Sequence, residues 1–308
     1  MRLTHALSIE YLRALQLLSY ETEQQIAIRR SAAAPRALTA FGQNALMRNV
    51  ETRSASPNTD PMKVAVVTGG ARGIGRACSH ALARSGFDIA LVDLLLPEME
   101  RTAGELRETG RRAEIYEADV ASFARAQEDV ADIKRKFGRI DFLYNNAGKA
   151  NPAGILDITE EEFDRTIAVN LKSCFNYIKA IAPIMLAQES GGRIVNMSSI
   201  NALSGGVTSA VSKHSYAAAK AGILGLTRSL AKEFGPKILI NAICPGVIKT
   251  ELGNTLTRSR EPELIKGIAV GRLGTPQDVA QLVNFLATSE PCYLTGQHFV
   301  IDGFQWSC

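Results

Sequence analysis

Short apolar, β-branched runs alternate with longer amphipathic stretches along the chain from Met62 onward. The short runs have the length of strands, and the longer stretches have the spacing of helices that bury one face. Strand-like runs occupy residues 63–68, 88–93, 112–119, 140–146, 193–199, 238–244 and 297–302. This alternation predicts an α/β fold: a single doubly wound, Rossmann-type domain with a mostly parallel seven-stranded sheet and helices on both faces.

Residues 1–61 differ in composition from the rest, with seven arginines, no lysine and five acidic residues. Three alternatives fit this segment: a targeting peptide, an accessory helix, or upstream sequence translated from a start site set too early. Glu10, Glu21 and Glu23 argue against a transit peptide, which is poor in acidic residues. We therefore expect a poorly ordered or upstream extension over residues 1–61 and one folded domain over residues 62–308.

The charge, the cysteine content and the apolar runs argue against nucleic acids, metals and membranes as partners. The net charge is +4 without a long basic run, which argues against nucleic-acid binding. Five scattered cysteines show no metal-ligand or disulfide spacing, as expected for reduced thiols in the cytoplasm. No apolar run is long enough to span a bilayer. The composition predicts a cytoplasmic protein with a small-molecule substrate and no nucleic acid, membrane or metal.

The first strand leads directly into the glycine-rich stretch TGGARGIG, which contains Gly69, Gly73 and Gly75. Glycines at such a turn let the backbone approach a pyrophosphate, whose charge then lies at the N-terminus of the next helix. The spacing is not that of a nucleotide-triphosphate P-loop, because no Gly-Lys-Ser/Thr follows. The turn predicts dinucleotide binding, although a strand-end acid beside it also suits a methyltransferase that binds S-adenosylmethionine.

Asp93 ends the second strand and is the candidate residue for determining whether the protein binds NAD or NADP. A carboxylate there accepts hydrogen bonds from ribose hydroxyls and repels a 2′-phosphate, which favours NAD over NADP. Arg72 argues the other way, since a guanidinium in the glycine turn can reach such a phosphate. A solvated residue at a strand end is the simpler alternative for Asp93.

Six motifs in order give residues 62–308 a resemblance to the short-chain dehydrogenase/reductases in their single-domain form. They are TGGARGIG, NNAG (145–148), YAAAK (216–220), PGVIKT (245–250), GRLGTPQDVA (271–280) and LTGQHFVIDG (294–303). The resemblance implies a homotetramer or dimer that packs through residues 160–187 and 215–234. It also implies cofactor contacts from Gly69, Arg72, Gly73, Ile74, Gly75, Asp93, Asp119, Val120, Asn146, Ala147, Gly148, Tyr216, Lys220, Pro245, Gly246, Ile248 and Thr250.

Tyr216 and Lys220 are the candidate proton-transfer pair. Their spacing of four places both side chains on one helix face, and an ammonium beside a phenol lowers the pKa of the phenol toward neutrality. The resemblance further implies that Asn170 is catalytic, with an amide that holds a water linking Lys220 to solvent. A chance Tyr-x-x-x-Lys pair on an exposed helix is the competing explanation.

The catalytic serine is less simple to assign. In the family it commonly precedes the tyrosine by 13 positions, but that position here is Leu203. Ser199 requires a loop insertion and Ser204 a deletion. We favour Ser199, because it ends the fifth strand and ligands of open α/β sheets bind beyond the carboxyl ends of strands. Ser198 is expected to point to the opposite face.

The expected activity is NAD(P)-dependent hydride transfer between nicotinamide and a secondary alcohol or ketone. In the family that this chain resembles, the 3-oxoacyl-carrier-protein reductases carry a basic patch before the fifth strand, whereas residues 185–192 here have no basic residue and include Glu189. Together with Asp93, this difference favours a small polar substrate such as a sugar, polyol or hydroxy acid. A 3-oxoacyl-[acyl-carrier-protein] reductase and a catalytically silent NAD-binding sensor or scaffold are the alternatives. Residues 200–215, with Lys213 and His214, are expected to shape the substrate pocket, and residues 251–271 to cover it.

Overall fold

The computed structural model describes residues 62–206, 212–250 and 261–306. Contacts along the chain divide it into two units, Met1–Thr59 and Asp60–Cys308, and every described residue belongs to the second. The expectations for residues 1–61, and for much of the segment predicted to cover the substrate, lie outside the described residues.

The described part of the second unit is built on a seven-stranded sheet in which every strand pairs in parallel. The strand order is β3-β2-β1-β4-β5-β6-β7, so the chain reverses direction across the sheet between β1 and β4. This confirms the predicted doubly wound sheet, with no antiparallel strand among those described. The strands are β1 Val64–Thr68, β2 Asp88–Asp93, β3 Ala113–Glu117, β4 Phe142–Asn145, β5 Gly192–Met197, β6 Ile238–Pro245 and β7 His298–Ile301.

Helices connect the strands and cover both faces of the sheet. A five-residue π-helical turn, Ala168–Lys172, joins α4 to α5 without a break. Within the described residues no helix combines the length and apolar character needed to cross a membrane. The helices are α1 Gly73–Arg84, α2 Leu96–Glu108, α3 Phe123–Phe137, α4 Glu160–Ile167, α5 Ser173–Ala187, α6 Asn201–Ser204, α7 His214–Phe234, α8 Glu261–Lys266 and α9 Pro276–Thr288.

Two hydrophobic cores lie on opposite faces of the sheet, because side chains alternate sides along each strand. Val67 belongs to the core under α1, α2 and α9, together with Leu82. Its neighbour Val66 belongs to the core under α3, α5 and α7, together with Ile133. Strands that are buried on both faces account for the nearly continuous apolar runs in the sequence.

The ends of α3 are formed by capping residues that can be recognised in the sequence. The Ser122 hydroxyl accepts a hydrogen bond from the Arg125 N–H at the start of α3, and Gly138 ends that helix with φ 82°. The boundary of β5 differs from the prediction. The strand ends at Met197, and residues 201–204, which we expected to be loop, form the helical turn α6.

Candidate active site

A cleft of about 800 Å³ lies beyond the carboxyl ends of β1 to β4, where the strand order reverses. Its walls come from the glycine turn after β1, the ends of β2 and β3, the segments after β4 and β6, and α4 with its π-helical turn. The lining residues are Gly69, Arg72, Gly73, Ile74, Gly75, Asp93, Leu94, Leu95, Ala118, Asp119, Val120, Asn146, Ala147, Gly148, Lys149, Ala150, Arg165, Val169, Val247, Ile248 and Thr250.

The glycine turn has the geometry of a close backbone approach. Gly69 and Gly73 adopt φ of 66° and 56°, which side-chain-bearing residues rarely adopt. A Cβ on Gly75 would lie 2.0 Å from the Gly69 carbonyl oxygen, so only glycine fits where α1 begins. The first turn of α1 lines the cleft through Gly73, Ile74 and Gly75, and the N–H groups of a first helical turn have no partner within the helix, as an anion site requires.

Asn146 braces this turn from the end of β4. Its Nδ2 donates to the carbonyl oxygens of Thr68 at 3.0 Å and Gly69 at 2.9 Å. The Thr68 hydroxyl accepts in return from the backbone N–H groups of Asn146 at 3.0 Å and Ala147 at 3.2 Å. The NNAG motif thus fixes the glycine turn while it lines the same cleft.

Asp93 faces the cleft from the end of β2, and backbone donors hold its carboxylate in place. Its Oδ2 accepts from the Ala71 N–H at 3.1 Å, and its Oδ1 accepts from the Leu94 and Leu95 N–H groups at 2.8 and 3.3 Å. The next side chain in the cleft wall, Leu94, is apolar and 57% exposed. The cleft therefore presents a fixed negative charge at this edge, with Arg72 in the neighbouring glycine turn.

Tyr216 lies in the first turn of α7 and is half-buried. The Ser199 hydroxyl lies beside its phenol and acts to lower the pKa of the tyrosine, and the same hydroxyl accepts from the Asn201 N–H at 3.2 Å. Ser204 makes only local contacts in α6, since its hydroxyl donates to the Ile200 carbonyl at 3.1 Å and accepts from the Gly206 N–H at 3.2 Å. Ser199, not Ser204, is thus the serine that faces the tyrosine.

Lys220 is 2% exposed, and its ammonium lies 5.5 Å from the centre of the Tyr216 ring. Its Nζ donates to the Met197 carbonyl at 2.7 Å. Burial lowers the pKa of Lys220 to about 8 and raises the pKa of Tyr216 to about 12 against the opposing hydrogen bond from Ser199. The expected lowering of the tyrosine pKa by Lys220 does not occur here, because burial disfavours both charged forms.

Asn170 lies in the π-helical turn and is fully buried. Its Nδ2 donates to the Lys149 and Thr166 carbonyls at 2.9 and 3.0 Å, and its Oδ1 accepts from the Lys149 N–H at 3.1 Å. Both amide donors are therefore engaged, and a water on this amide must use the remaining lone pair of Oδ1. A Cβ built on Gly148 would lie 2.8 Å from that Oδ1 and 3.5 Å from Lys220 Nζ, so the groups converge there.

A buried polar chain fixes α7 against the sheet. Asn145 Nδ2 donates to Asn196 Oδ1 at 2.9 Å, and Asn196 Nδ2 donates to the Thr227 hydroxyl at 3.0 Å. The expectation that Ser198 points to the opposite face is wrong, because its hydroxyl donates to the Lys220 carbonyl at 2.8 Å and so contacts the same helix, α7, that carries Tyr216. Tyr216 and Lys220 therefore sit on a helix whose position is set by β4 and β5.

The structure brings together most of the residues that the sequence singled out. All predicted cofactor contacts line the cleft except Tyr216, Lys220, Pro245 and Gly246. Tyr216 and Lys220 lie beside Ser199 and Gly148, whereas Pro245 and Gly246 bond to the backbone of Ile200 and Ile301. The cleft-lining residues that sequence reasoning missed are Leu94, Leu95, Ala118, Lys149, Ala150, Arg165, Val169 and Val247. Most of them adjoin a recognised motif, but nothing in the sequence points to Arg165.

The remaining polar candidates surround this centre, and the thiols of Cys174 and Cys244 lie close enough to Lys220 to affect its pKa. The Lys213 N–H donates to the Asn151 carbonyl at 2.9 Å, next to residues 207–211, which are outside the description. The thiols of Cys78, Cys174 and Cys244 are buried, and that of Cys292 is partly exposed. Across residues 62–206, 212–250 and 261–306 there is no group of three or more side chains that could hold a metal ion.

Known proteins are similar in sequence to most of this chain. The family model described as "Enoyl-(Acyl carrier protein) reductase" matches residues 69–303. The oxidoreductase UcpA of Salmonella typhimurium is 40% identical over 250 residues, which cover 78% of this chain and 93% of the relative. The 3-oxoacyl-[acyl-carrier-protein] reductase FabG of Thermotoga maritima is 36% identical over 242 residues, covering 78% of this chain and 96% of that one.

A solved structure agrees with both sequence relatives. The short-chain dehydrogenase/reductase from Brucella melitensis, described as a glucose/ribitol dehydrogenase, superposes with a TM-score of 0.74 at 29% identity. The match covers 80% of this chain and 97% of that one. With a seven-stranded parallel sheet, a glycine-lined cleft and a Ser-Tyr-Lys cluster beside it, the chain belongs to the short-chain dehydrogenase/reductase family of nicotinamide-dependent oxidoreductases.

Proposed function

We propose that this protein transfers hydride between NAD and a secondary alcohol or ketone. The observation that carries the proposal is the cluster of Tyr216, Ser199 and Lys220 at the edge of the cleft. The Ser199 hydroxyl lies beside the Tyr216 phenol, and the Lys220 ammonium lies 5.5 Å from the centre of the tyrosine ring. Acid–base, hydrogen-bonding and cationic groups together are what proton transfer to a carbonyl oxygen requires.

The residues of the cleft fit a nicotinamide dinucleotide. The glycines at positions 69, 73 and 75 leave room where a Cβ would meet backbone, and α1 presents free N–H groups to a pyrophosphate. Asp93 would bind the adenosine ribose, and Lys220 the ribose next to the nicotinamide. When bound, the nicotinamide supplies or accepts the hydride, which is the chemistry that the protein itself lacks.

The chain's own residues handle the proton. In reduction, Tyr216 gives its Oη proton to the substrate oxygen as the carbonyl carbon gains the hydride, and in oxidation it takes that proton back. Ser199 donates a hydrogen bond to the same oxygen and holds it against Tyr216. Because burial keeps the tyrosine pKa at about 12 in the free protein, Tyr216 is protonated at neutral pH and is ready to act as an acid.

Two neighbouring features support NAD over NADP. The Asp93 carboxylate is held in the cleft by three backbone donors, so it cannot easily turn away from a 2′-phosphate. The adjacent Leu94 supplies no positive charge to offset it. Arg72 is the only group at this edge that favours NADP among the described lining residues, and it must act against Asp93.

Fewer observations support the proposed substrate class than support the proposed cofactor. We favour a small polar alcohol such as a sugar, polyol or hydroxy acid, in line with the glucose/ribitol dehydrogenase title of the Brucella melitensis structure. The absence of basic residues from 185–192 does not argue against a carrier-protein substrate once the position of this stretch in the fold is known. The stretch leads into the start of β5, at the end of the sheet opposite the cleft, and Arg139 reaches Ser190 there at 3.3 Å. A 3-oxoacyl-[acyl-carrier-protein] reductase therefore remains the second candidate, favoured by the similarity to FabG.

The test is cofactor-coupled absorbance with NAD and NADP separately, against polyols, sugars, hydroxy acids and 3-oxoacyl thioesters. We expect turnover with NAD and a polyol-type substrate. Tyr216→Phe should lower kcat by about 10²–10⁴-fold while NADH still binds, because the general acid is lost but the cleft is intact. Turnover only with NADPH and 3-oxoacyl thioesters would select the second candidate. NADH binding without turnover on any substrate would point to a sensor.

A further inference from the structure

An ion pair spans two walls of the cleft at its far end. Arg165 Nη1, on α4, lies 2.8 Å from Asp119 Oδ2, which follows β3. The two residues are 46 positions apart in sequence, and both line the cleft. Their side chains are 49% and 37% exposed, so both remain accessible to a ligand.

The sheet order shows which part of a dinucleotide reaches this pair. The pyrophosphate site is the glycine turn after β1, and Asp93 at the end of β2 is the ribose site proposed above. Continuing in the same direction across the sheet leads to β3 and then to Ala118, Asp119 and Val120. The base attached to that ribose therefore falls beside the ion pair, while Tyr216 lies in the opposite direction, beyond β4.

Asp119 positions the Arg165 guanidinium through a charged hydrogen bond. Asp119 accepts from the Ala121 N–H at 3.0 Å through its Oδ1, which leaves Oδ2 for the guanidinium. The hydrogen bond from Arg165 is the main reason that the pKa of Asp119 is lowered, so the carboxylate stays charged at neutral pH. A planar guanidinium with a fixed partner offers a flat face, and such faces stack on nucleobases.

Arg165 also lines a second cavity, so removing its side chain would join the cleft to that cavity. The second cavity, of about 440 Å³, adjoins the cleft and shares Lys149, Ala150, Arg165 and Val169 with it. Its other walls come from α4 and from residues 151 and 152. Arg165 thus forms part of the partition between the base-binding end of the cleft and an open cavity.

Stability alone gives little reason for this pair, because half-exposed ion pairs contribute weakly to folding. We propose that Arg165 is a binding residue for the adenine ring, with its guanidinium held by Asp119 as one wall of the adenine subsite. This inference rests on the proposed function, since it assumes that the cleft binds an adenine dinucleotide.

The experiment compares ligands that contain or lack adenine. Dissociation constants of NADH, ADP-ribose and reduced nicotinamide mononucleotide are measured by fluorescence and calorimetry on the full chain. The variants are Arg165→Ala, Arg165→Lys and a control, Arg135→Ala, which breaks the surface pair of Arg135 with Asp132 on α3. Melting temperatures are recorded for each.

We expect Arg165→Ala to weaken NADH and ADP-ribose by roughly 5- to 50-fold through loss of the stacking contact, with no change for the mononucleotide. Arg165→Lys should lose nearly as much, because lysine keeps the charge but not the planar face. Arg135→Ala should bind all three ligands like the wild type, and all four proteins should melt together.

Two results would overturn the inference. One is wild-type NADH and ADP-ribose affinity in Arg165→Ala. The other is full recovery in Arg165→Lys, which would make charge, not stacking, the contribution. Either leaves the proposed function intact, because wild-type protein still binds NADH. If the wild-type protein binds neither NADH nor ADP-ribose, the proposed function fails as well.

Discussion

At the scale of single residues, Ser199 and Ser204 differ only in their surroundings. Ser199 contacts the Tyr216 phenol, whereas both bonds of the Ser204 hydroxyl stay within its own helical turn and the glycines after it. The two substitutions to alanine therefore form a matched pair.

We expect Ser199→Ala to lower kcat by about 10²-fold or more, because a donor to the reacting oxygen is lost. Ser204→Ala should stay within about twofold of the wild type, since it removes only a local contact. Steady-state rates with the best substrate give both values. A larger loss in Ser204→Ala than in Ser199→Ala would reverse the assignment.

The pH dependence is a second prediction at this scale. Lys220 titrates near pH 8 in the free protein, and Tyr216 stays protonated to about pH 12. As pH rises through about 8, Lys220 loses its proton and with it the positive charge beside the tyrosine and the cofactor ribose. We therefore expect kcat/KM for ketone reduction to be highest below pH 8 and to fall above it, because this constant reports on the free enzyme. A flat profile from pH 6 to 10 would show that Lys220 keeps its charge.

At the scale of elements, α1 packs so closely against the glycine turn that no residue with a side chain fits at position 75. A methyl group at position 75 meets the Gly69 carbonyl at 2.0 Å, whereas one at Gly104, in the middle of α2, meets nothing within 4 Å. Gly75→Ala should lower the melting temperature and weaken NADH binding by more than about tenfold, because the turn must move. Gly104→Ala should raise stability by about 0.5–1 kcal/mol, through the helix propensity of alanine, and leave binding unchanged.

Thermal denaturation and NADH titration of the two alanine variants check this contrast. Equal behaviour of the two variants would mean that the turn adapts and that the tight approach is not needed for binding.

The π-helical turn shows where element-level prediction stops. The pattern of IAVNLKS is that of an ordinary helix, yet the chain widens at Ala168–Lys172 and places Asn170 against Lys149 and Gly148. Insertions of this kind are common at functional sites. They depend on the tertiary contacts of one helix with two neighbours, which periodicity does not describe.

At the scale of the whole molecule, the described part of the second unit contains all seven strands and both cores. We propose that residues 62–308 are sufficient for the oxidoreductase activity without residues 1–61. A protein that lacks residues 1–61 should show the same melting temperature and kcat/KM as the full chain within error. A loss of solubility or activity on truncation would assign a structural role to residues 1–61.

Self-association is the other prediction at this scale. The rings of Phe123 and Phe175 stack at 6.0 Å, yet they are 40% and 45% exposed, and Leu186 on the same helix as Phe175 is 40% exposed. Exposed apolar side chains that contact one another, as the rings of Phe123 and Phe175 do, are a feature of interfaces. We propose a dimer or tetramer that uses α5. Light scattering should give an oligomer for the wild type and a smaller species for Phe175→Lys, while Leu156→Lys, on the loop before α4, should keep the wild-type mass.

The sequence by itself determined the fold and the location of the cleft. Strand–helix alternation specifies a parallel sheet, and the glycine turn, Asp93 and NNAG specify its ligand end, because these features depend on neighbours close along the chain. Helix periodicity likewise placed Tyr216 and Lys220 on one face.

Only the tertiary structure decided the contacts between distant segments. Ser199 lies beside Tyr216 although the loop between them is longer than the family spacing predicts. Arg165 contacts Asp119, from which it is 46 positions apart in sequence. The tertiary structure also reversed the expected pKa of Tyr216, because burial is a collective property of the packed helices and sheet and cannot be read from two residues four positions apart.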